Sequence, residues 1–432
     1  MFGTSGIRGP VGETVTADLA LSVGRALGVD CTTVVVGRDP RESGAVLRDA
    51  LTAGLRESGV EVIDLGVTAT PTVGRAVGWE AADAGVCITA SHNPPPDNGL
   101  KLWQPSGQAF DAPLRERIET RVRAEEAALV GWDELGRYHR KDGTVRHSNE
   151  LCAAVDVDEP PTVVVDLGNG AGGVTVDALE RLGCQVETLN AQPDGSFPGR
   201  PSEPTAENCE SLATLVGETA ATLGIAHDGD ADRMRAVDED GRFLSGDVLL
   251  AILARDAARD GEAVAVPVDT SLAVEDHLSA AGIETRRTPV GDVYVAEAAS
   301  DEGVAFGGEP SGAWIWPDET LCPDGPLAAC KLAALVSERS LADRADAIDT
   351  YPLHRRNVEV TDKADVMERV EARVRAEYDD VSTMDGVRVS LGDAWFLIRA
   401  SGTQPLIRVT AEAREPERAE RVFEDATALI PV

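Results

Sequence analysis

Thr162-Val163-Val164-Val165-Asp166-Leu167-Gly168-Asn169-Gly170 is a valine run ending in a polar, glycine-containing loop, and Val174 to Leu182 beyond it is patterned as a helix. Short continuous β-branched runs suit strands covered on both faces, so the stretch predicts a buried strand that feeds a helix. The pattern occurs earlier as Thr33-Val34-Val35-Val36-Gly37-Arg38-Asp39 before a helix-like Val46 to Ser58. It occurs later as Ala263-Val264-Ala265-Val266-Pro267-Val268-Asp269 before Leu272 to Ala281. Strand and helix alternate as in doubly wound sheets, which predicts similar Rossmann-like α/β domains in series. A spacing of roughly 100 residues or more fits domain duplication better than a short-period solenoid. A shared supersecondary pattern without common ancestry would look the same.

Polar or proline-bearing stretches at 146–149 with 156–161, at 239–246 and at 349–353 read as linkers. Beyond the last of these the texture changes. Arg356 to Val360, Val387 to Ser390, Trp395 to Arg399 and Ile407 to Glu412 read as strands, with helix-like segments at Asp365 to Tyr378 and at the end of the chain. That is the pattern of a smaller α+β domain.

The 432 residues exceed what one hydrophobic core usually organises, and length alone predicts about three domains. With 43% hydrophobic residues and no apolar run near the roughly 20 residues that cross a bilayer, the composition is that of a globular protein with no membrane partner. The start, Met1-Phe2-Gly3-Thr4-Ser5-Gly6-Ile7-Arg8-Gly9, lacks the charged and apolar parts of a secretory signal, so a cytoplasmic location is expected. Seven cysteines without a C-x-x-C pair are expected to be reduced. The net charge is −35, and Lys101, Lys141, Lys331 and Lys363 are the only lysines. Such a surface disfavours nucleic acid, and its self-repulsion is screened by concentrated salt, which predicts an extreme halophile's cytosol.

Asp228-Gly229-Asp230-Ala231-Asp232-Arg233 follows the apolar Leu223-Gly224-Ile225-Ala226. Three alternating carboxylates on one short loop can converge on a hard cation, and magnesium suits a site that also holds a phosphoryl oxygen. Arg233 is then placed for a phosphate. Asp228, Asp230, Asp232 and Glu239 also fit positions one, three, five and twelve of an EF-hand, but Arg233 stands where that loop needs glycine. A solvated acidic turn is the blander reading. Ile88-Thr89-Ala90-Ser91-His92-Asn93-Pro94 follows a strand-like Gly85 to Ile88 and puts a serine on a stiffened loop. A hydroxyl needs activation before it attacks, and His92, Lys101 and the cation are candidate helpers. By itself this is also an ordinary turn. Gly307-Gly308-Glu309-Pro310-Ser311-Gly312 offers acceptors suited to sugar hydroxyls on a tight turn. Arg399-Ala400-Ser401-Gly402-Thr403-Gln404-Pro405-Leu406-Ile407-Arg408 combines arginines, hydroxyls and a glycine around backbone amides, as a phosphate site does, and the Gly3 to Gly9 segment has the same ingredients.

In this order, FGTSGIRG, TASHNP, DGDADR, GEPSG and RASGTQP resemble the α-D-phosphohexomutase superfamily, from Phe2 to about Arg408. The resemblance implies four domains around a central cleft: three similar Rossmann-like α/β domains and a smaller C-terminal α+β domain. Domain I (1–150) would carry a phosphoserine loop, domain II (151–245) a metal loop, domain III (246–350) a sugar loop and domain IV (351–432) a phosphate loop. It implies Ser91 as the phosphoserine, with Ser91, Asp228, Asp230 and Asp232 holding Mg2+ together with the phosphoryl group. Arg8 would contact that phosphate, and Lys101, beside His92, would be the general acid or base. Arg233, Glu309 and Ser311 would bind substrate, and Arg399, Ser401, Gly402, Thr403 and Arg408 would hold the phosphate that is not reacting. The implied partner is a sugar phosphate, and the implied activator a hexose bisphosphate. Ala313 and Gln404 stand where many glucose and mannose mutases have histidine and glutamate. Those departures leave the hexose open between glucosamine phosphate and a broad glucose/mannose phosphate specificity, and the compact chain's resemblance to archaeal members of the glucosamine branch favours glucosamine phosphate. A phosphatase or a non-catalytic sugar-phosphate sensor would share parts of the site. The second phosphate anchor argues against the first, and the intact serine and aspartates against the second.

Overall fold

The computed structural model describes residues 1–3, 6–401 and 406–430. The three valine runs are the central strands of three separate sheets, and Val34 to Val36, Val163 to Val165 and Val264 to Val266 have no exposed surface. Each run is covered by helices on both faces, which is why it lacks the polar alternation of a half-exposed strand.

The first sheet runs Ile7–Pro10, Asp97–Trp103, Ala84–Ile88, Thr33–Arg38, Glu61–Val67, Tyr138–Arg140, the last four strands being mutually parallel. The second runs Met234–Val237, Leu223–His227, Thr162–Asp166, Gln185–Leu189, and the third Glu284–Thr288, Ala263–Pro267, Val304–Gly308, Trp314–Ile315. Every one of these sheets adds an antiparallel return strand to a parallel set. The physical reason is loop length. A parallel neighbour needs a crossover of a dozen or more residues, and the connections 89–96, 228–233 and 309–313 are too short for one. The serine, aspartate and sugar motifs are therefore the equivalent hairpin connection in three similar α/β units.

The fourth sheet runs Leu353–Glu359, Leu406–Ala413, Ala394–Ala400, Val387–Ser390, Val381–Ser382 and is antiparallel throughout. The helices Lys363–Glu377 and Pro416–Ala428 pack on it, giving the smaller α+β unit. Its phosphate motif, Arg399 to Arg408, starts on the strand Ala394–Ala400 and ends on its antiparallel neighbour Leu406–Ala413.

The expected linker at 146–149 is a correction. It lies inside the helix Thr144–Ala153, where His147 and Ser148 are buried and partnered while Arg146 and Asn149 face solvent. His147 Nδ1 lies 2.8 Å from Thr72 Oγ1, and Arg181 donates to Ser148 Oγ at 3.0 Å. The second and third units share one continuous core, reached by the helices Gly173–Arg181, Gly246–Ala257 and Gly325–Glu338. The fourth unit keeps its own core and meets the third through the small cluster Val268, Leu272, Trp395 and Leu397. Among the described residues no helix is long and apolar enough to cross a membrane.

Candidate active site

Ser91 begins three residues past the fully buried strand Ala84–Ile88 and has φ +53°, a left-handed conformation that costs a residue with a side chain ~1–3 kcal/mol. Its surroundings over-determine that conformation. Arg41, fully buried and ion-paired to Asp39 at 2.9 Å, donates to the carbonyls of Ser91 (2.9 Å), Asn93 (2.6 Å), Pro94 (2.7 Å) and Asp97 (2.9 Å). Thr89 Oγ1 donates to Asp39 at 2.7 Å and accepts the Ser91 N–H at 2.8 Å. From the second unit, Ser202 Oγ donates to the Ser91 carbonyl at 2.9 Å and accepts the Gly229 N–H at 2.9 Å. Gly229 is glycine because a Cβ there would lie 2.9 Å from the Ser91 carbonyl oxygen and 2.8 Å from Ser202 Oγ.

So held, the Ser91 hydroxyl donates to Asp228 Oδ2 at 2.5 Å, and His92 Nδ1 lies 3.3 Å from it. Asp228, Asp230 and Asp232 each offer an oxygen within 4.8 Å of the others, and all three are buried. Lys101 Nζ donates to Asp230 at 2.8 Å and is also bonded to Asp232, while Thr70 Oγ1 donates to Asp230 at 2.5 Å. One oxygen each of Asp230 and Asp232 remains buried with no partner. Three hard oxygen donors, two of them with a buried oxygen that lacks a partner, fit a divalent cation such as Mg2+.

The charges respond to this crowding. Burial, then repulsion from Asp232 and Asp230, raises the Asp228 carboxyl well above the usual range. Burial and Asp230 raise Asp232. Burial would raise Asp230 too, but Lys101 and the Thr70 hydroxyl hold it below the usual range. Burial opposes the charge on Lys101, and Asp230 and Asp232 outweigh it, so the amine is a firmly protonated donor in this arrangement. Burial, with Arg233, Arg8 and Lys101 nearby, pushes His92 down to about 2 and keeps its ring neutral.

Ser91, Arg8, His92, Asp232, Arg233, Glu309, Ser311, Arg399, Ser401 and Arg408 all line one cleft of about 1080 Å³, to which every unit contributes. Asp228, Asp230 and Lys101 sit buried behind its wall. Arg8 lies on the strand paired with Asp97–Trp103, and its Nε is buried without a partner. The aspartate and sugar loops are tied together by Met234 N–H to Gly312 O at 3.0 Å and Trp314 Nε1 to Met234 O at 2.9 Å. In the sugar loop Glu309 accepts from Gly291 N–H at 2.8 Å and from Ser311 Oγ at 3.2 Å. Burial and the neighbouring Asp292 push its carboxyl up to about 7. Across the cleft Arg399 and Arg408 are cross-strand partners flanking the phosphate loop, and Lys363 Nζ donates to Ser401 O at 2.6 Å. Gly402 and Thr403 lie outside the described residues, as do Thr4, Ser5, Gln404 and Pro405.

Models for domains I, II and III of phosphoglucomutase/phosphomannomutase, each described as alpha/beta/alpha, match residues 1–129, 146–241 and 245–351, and the model for its C-terminal domain matches 356–429. The chain belongs to the phosphoglucomutase/phosphomannomutase family. Relatives in this family include a probable phosphoglucosamine mutase of Methanopyrus kandleri, 46% identical over 99% of this chain and 97% of its own length. Another, also named a probable phosphoglucosamine mutase, comes from Methanosarcina acetivorans and is 45% identical over 99% of both chains. Among solved structures, a phosphoglucomutase/phosphomannomutase family protein of Burkholderia thailandensis superposes with a TM-score of 0.88 at 26% identity, covering 99% of this chain and 97% of its own. A putative phosphomannomutase of Thermus thermophilus superposes with a TM-score of 0.83 at 27% identity, covering 99% and 98%.

Sequence reading missed Arg41, Asp39, Thr70 and Ser202, which hold the serine and aspartate loops in place. A signal existed for the first two. Gly37-Arg38-Asp39-Pro40-Arg41 sets charged residues at the carboxyl end of a buried parallel strand, where α/β sheets place their ligands. Thr70 and Ser202 lie on segments far from the motifs and carried none.

Proposed function

We propose that this chain interconverts glucosamine 6-phosphate and glucosamine 1-phosphate through a phosphorylated Ser91 and a bisphosphate intermediate. The observation that carries this reading is the cleft with two unlike ends: a buried serine bonded to Asp228 of a carboxylate triad at one, and the Arg399 and Arg408 pair at the other. A hydrolase needs one phosphate site, whereas a mutase must react one phosphate and anchor another.

Phospho-Ser91 gives its phosphoryl group to the free hydroxyl of the bound sugar phosphate. The P–O bond to Ser91 Oγ breaks as a P–O bond to the sugar oxygen forms, and the hydroxyl proton passes to a base. The bisphosphate turns over in the cleft, and its other phosphoryl group returns to Ser91 as a proton is restored to the sugar oxygen. Lys101, with His92 beside Ser91, is assigned to return that proton as the acid; its amine is protonated while paired with Asp230 and Asp232, so it would take the hydroxyl proton only once those carboxylates turned from it to a bound cation. Asp228, Asp230, Asp232 and the serine oxygen would hold Mg2+, which when bound neutralises charge on the transferring phosphoryl oxygens. Arg8 and Arg233 pair with that group, while Arg399 and Arg408, with Ser401 and its loop, anchor the other phosphate. Glu309 and Ser311 grip the sugar hydroxyls between the two ends. The carboxylates of Asp269, Asp292 and Glu309 on the cleft wall support an amino sugar over a neutral hexose. A hexose bisphosphate would serve as activator by phosphorylating Ser91. The acidic surface and scarcity of lysine support a cytosol of high salt, with neither nucleic acid nor membrane as partner.

The test is isomerisation in concentrated salt with Mg2+ and a trace of hexose bisphosphate, offering glucosamine 6-phosphate, glucose 1-phosphate and mannose 1-phosphate separately. Fastest turnover of the glucosamine phosphate is expected. Faster turnover of glucose or mannose phosphate would assign a different sugar, and release of inorganic phosphate without isomerisation would replace the mutase with a phosphatase.

A further inference from the structure

Two carboxylates of the fourth unit reach the third, and they differ in burial. Glu412 is fully buried and accepts from Ser271 Oγ at 2.5 Å, Leu272 N–H at 2.7 Å and Trp395 Nε1 at 2.7 Å, at the start of the helix Leu272–Ser279. Asp385 lines the cleft and is a quarter exposed. A single oxygen of it, Oδ2, accepts from Val290 N–H of the third unit at 3.0 Å and from Arg399 Nη1 of the fourth at 2.9 Å. The turn that presents it is built against Arg399. Gly386 has φ +77°, and a Cβ there would lie 2.5 Å from the Ile398 carbonyl oxygen and 3.0 Å from Arg399 Cα.

We propose that Asp385 is a positioning residue for the phosphate anchor: it orients Arg399 and ties that orientation to contact between the third and fourth units. This rests on the reading of Arg399 as the anchor of the non-reacting phosphate. A guanidinium carries five N–H donors in a planar fork, so fixing Nη1 on Asp385 sets the plane of the fork and leaves donors for phosphate oxygens. Because the same oxygen takes the Val290 N–H, moving the units apart removes one of the two bonds that hold the carboxylate. Arg399 is then well aimed only when the cleft is shut. Glu412, buried with three partners on both sides of the interface, is the contact that persists.

The experiment compares wild type, Asp385→Asn and Asp385→Glu. In Asp385→Asn we expect KM for glucosamine 6-phosphate to rise roughly tenfold with kcat within about twofold, from loss of a charge-assisted bond. Asp385→Glu, which keeps the charge, recovers part of that loss. Hydrogen exchange of the peptide containing Val290 becomes faster in Asp385→Asn, at an unchanged melting temperature. Equal loss in kcat and kcat/KM together with a lower melting temperature, or unchanged KM and unchanged Val290 exchange, would overturn the proposal. If the wild type isomerises no sugar phosphate, the functional reading fails, whereas the exchange comparison still decides whether Asp385 ties the two units.

Discussion

The two ends of the cleft are built differently. At the reaction end Ser91 is held by Arg41, Thr89 and Ser202, all buried, and the aspartate loop closes on it from the second unit. At the anchor end Arg399 is a quarter exposed and held by Asp385, Arg408 is exposed, and the fourth unit meets the third through a small apolar cluster and a few polar bridges. Phosphoryl transfer depends on positioning and charge neutralisation, so its groups are fixed before substrate arrives. On the function proposed above, an anchor that must admit and turn over a bisphosphate is better carried on a unit with its own core and a limited interface.

That contrast is open to attack in order of effect. Ser91→Ala should lower isomerisation by about four orders of magnitude or more and abolish transfer of labelled phosphate to protein. Retention of either by the variant would remove the serine from the mechanism. Arg41→Met leaves Asp39 buried without its partner, and breaking such a pair costs about 3–5 kcal/mol. A large fall in kcat with a lower melting temperature is expected, and a normal kcat would show that the serine loop does not need its internal clamp. Arg399→Ala should raise KM for the sugar phosphate roughly 10- to 100-fold while sparing the melting temperature, as loss of a charged hydrogen bond at a partly exposed site does. If it instead unfolded the protein as Arg41→Met is expected to, the two ends would not differ in the way described.

The smallest effect concerns Glu309 in the sugar loop. Its folded-state carboxyl is pushed up to about 7 by burial and Asp292, above the ordinary value of 4.5, so between pH 4.5 and 7 the folded chain binds more protons than the unfolded one. The stability associated with that proton is present below pH 4.5 and is lost as pH rises toward 7. Glu309→Gln should therefore gain melting temperature relative to wild type on going from pH 5 to pH 8, by a few degrees. Parallel pH curves for the two proteins would show that the loop relaxes to solvate the carboxylate.

Much of this was legible in the chain. The three valine runs announced three buried sheets because strands covered on both faces have no polar alternation to hide them. The serine, aspartate, sugar and phosphate loops were legible because each concentrates its chemistry in a few consecutive residues. What was not legible is what acts at a distance. Arg41 lies 50 residues from the loop it holds, Thr70 lies 160 from Asp230, and Asp385 lies 95 from Val290. The helix Thr144–Ala153 was hidden for the same reason, since its His147 and Ser148 look solvent-facing until Thr72 and Arg181 are seen against them.

The sequence by itself determined the local parts: which segments are strands buried on both faces, which short connections bear carboxylates, hydroxyls or arginines, and a net charge of −35. These follow from covalent spacing and residue chemistry, which need no knowledge of neighbours. Only the tertiary structure decided that Ser91 hydrogen-bonds to Asp228, that Lys101 is an ion-paired donor, and that Asp385 links Arg399 to the third unit. Those facts depend on a few ångströms between residues far apart in the chain, and distances of that kind are set by how the sheets pack.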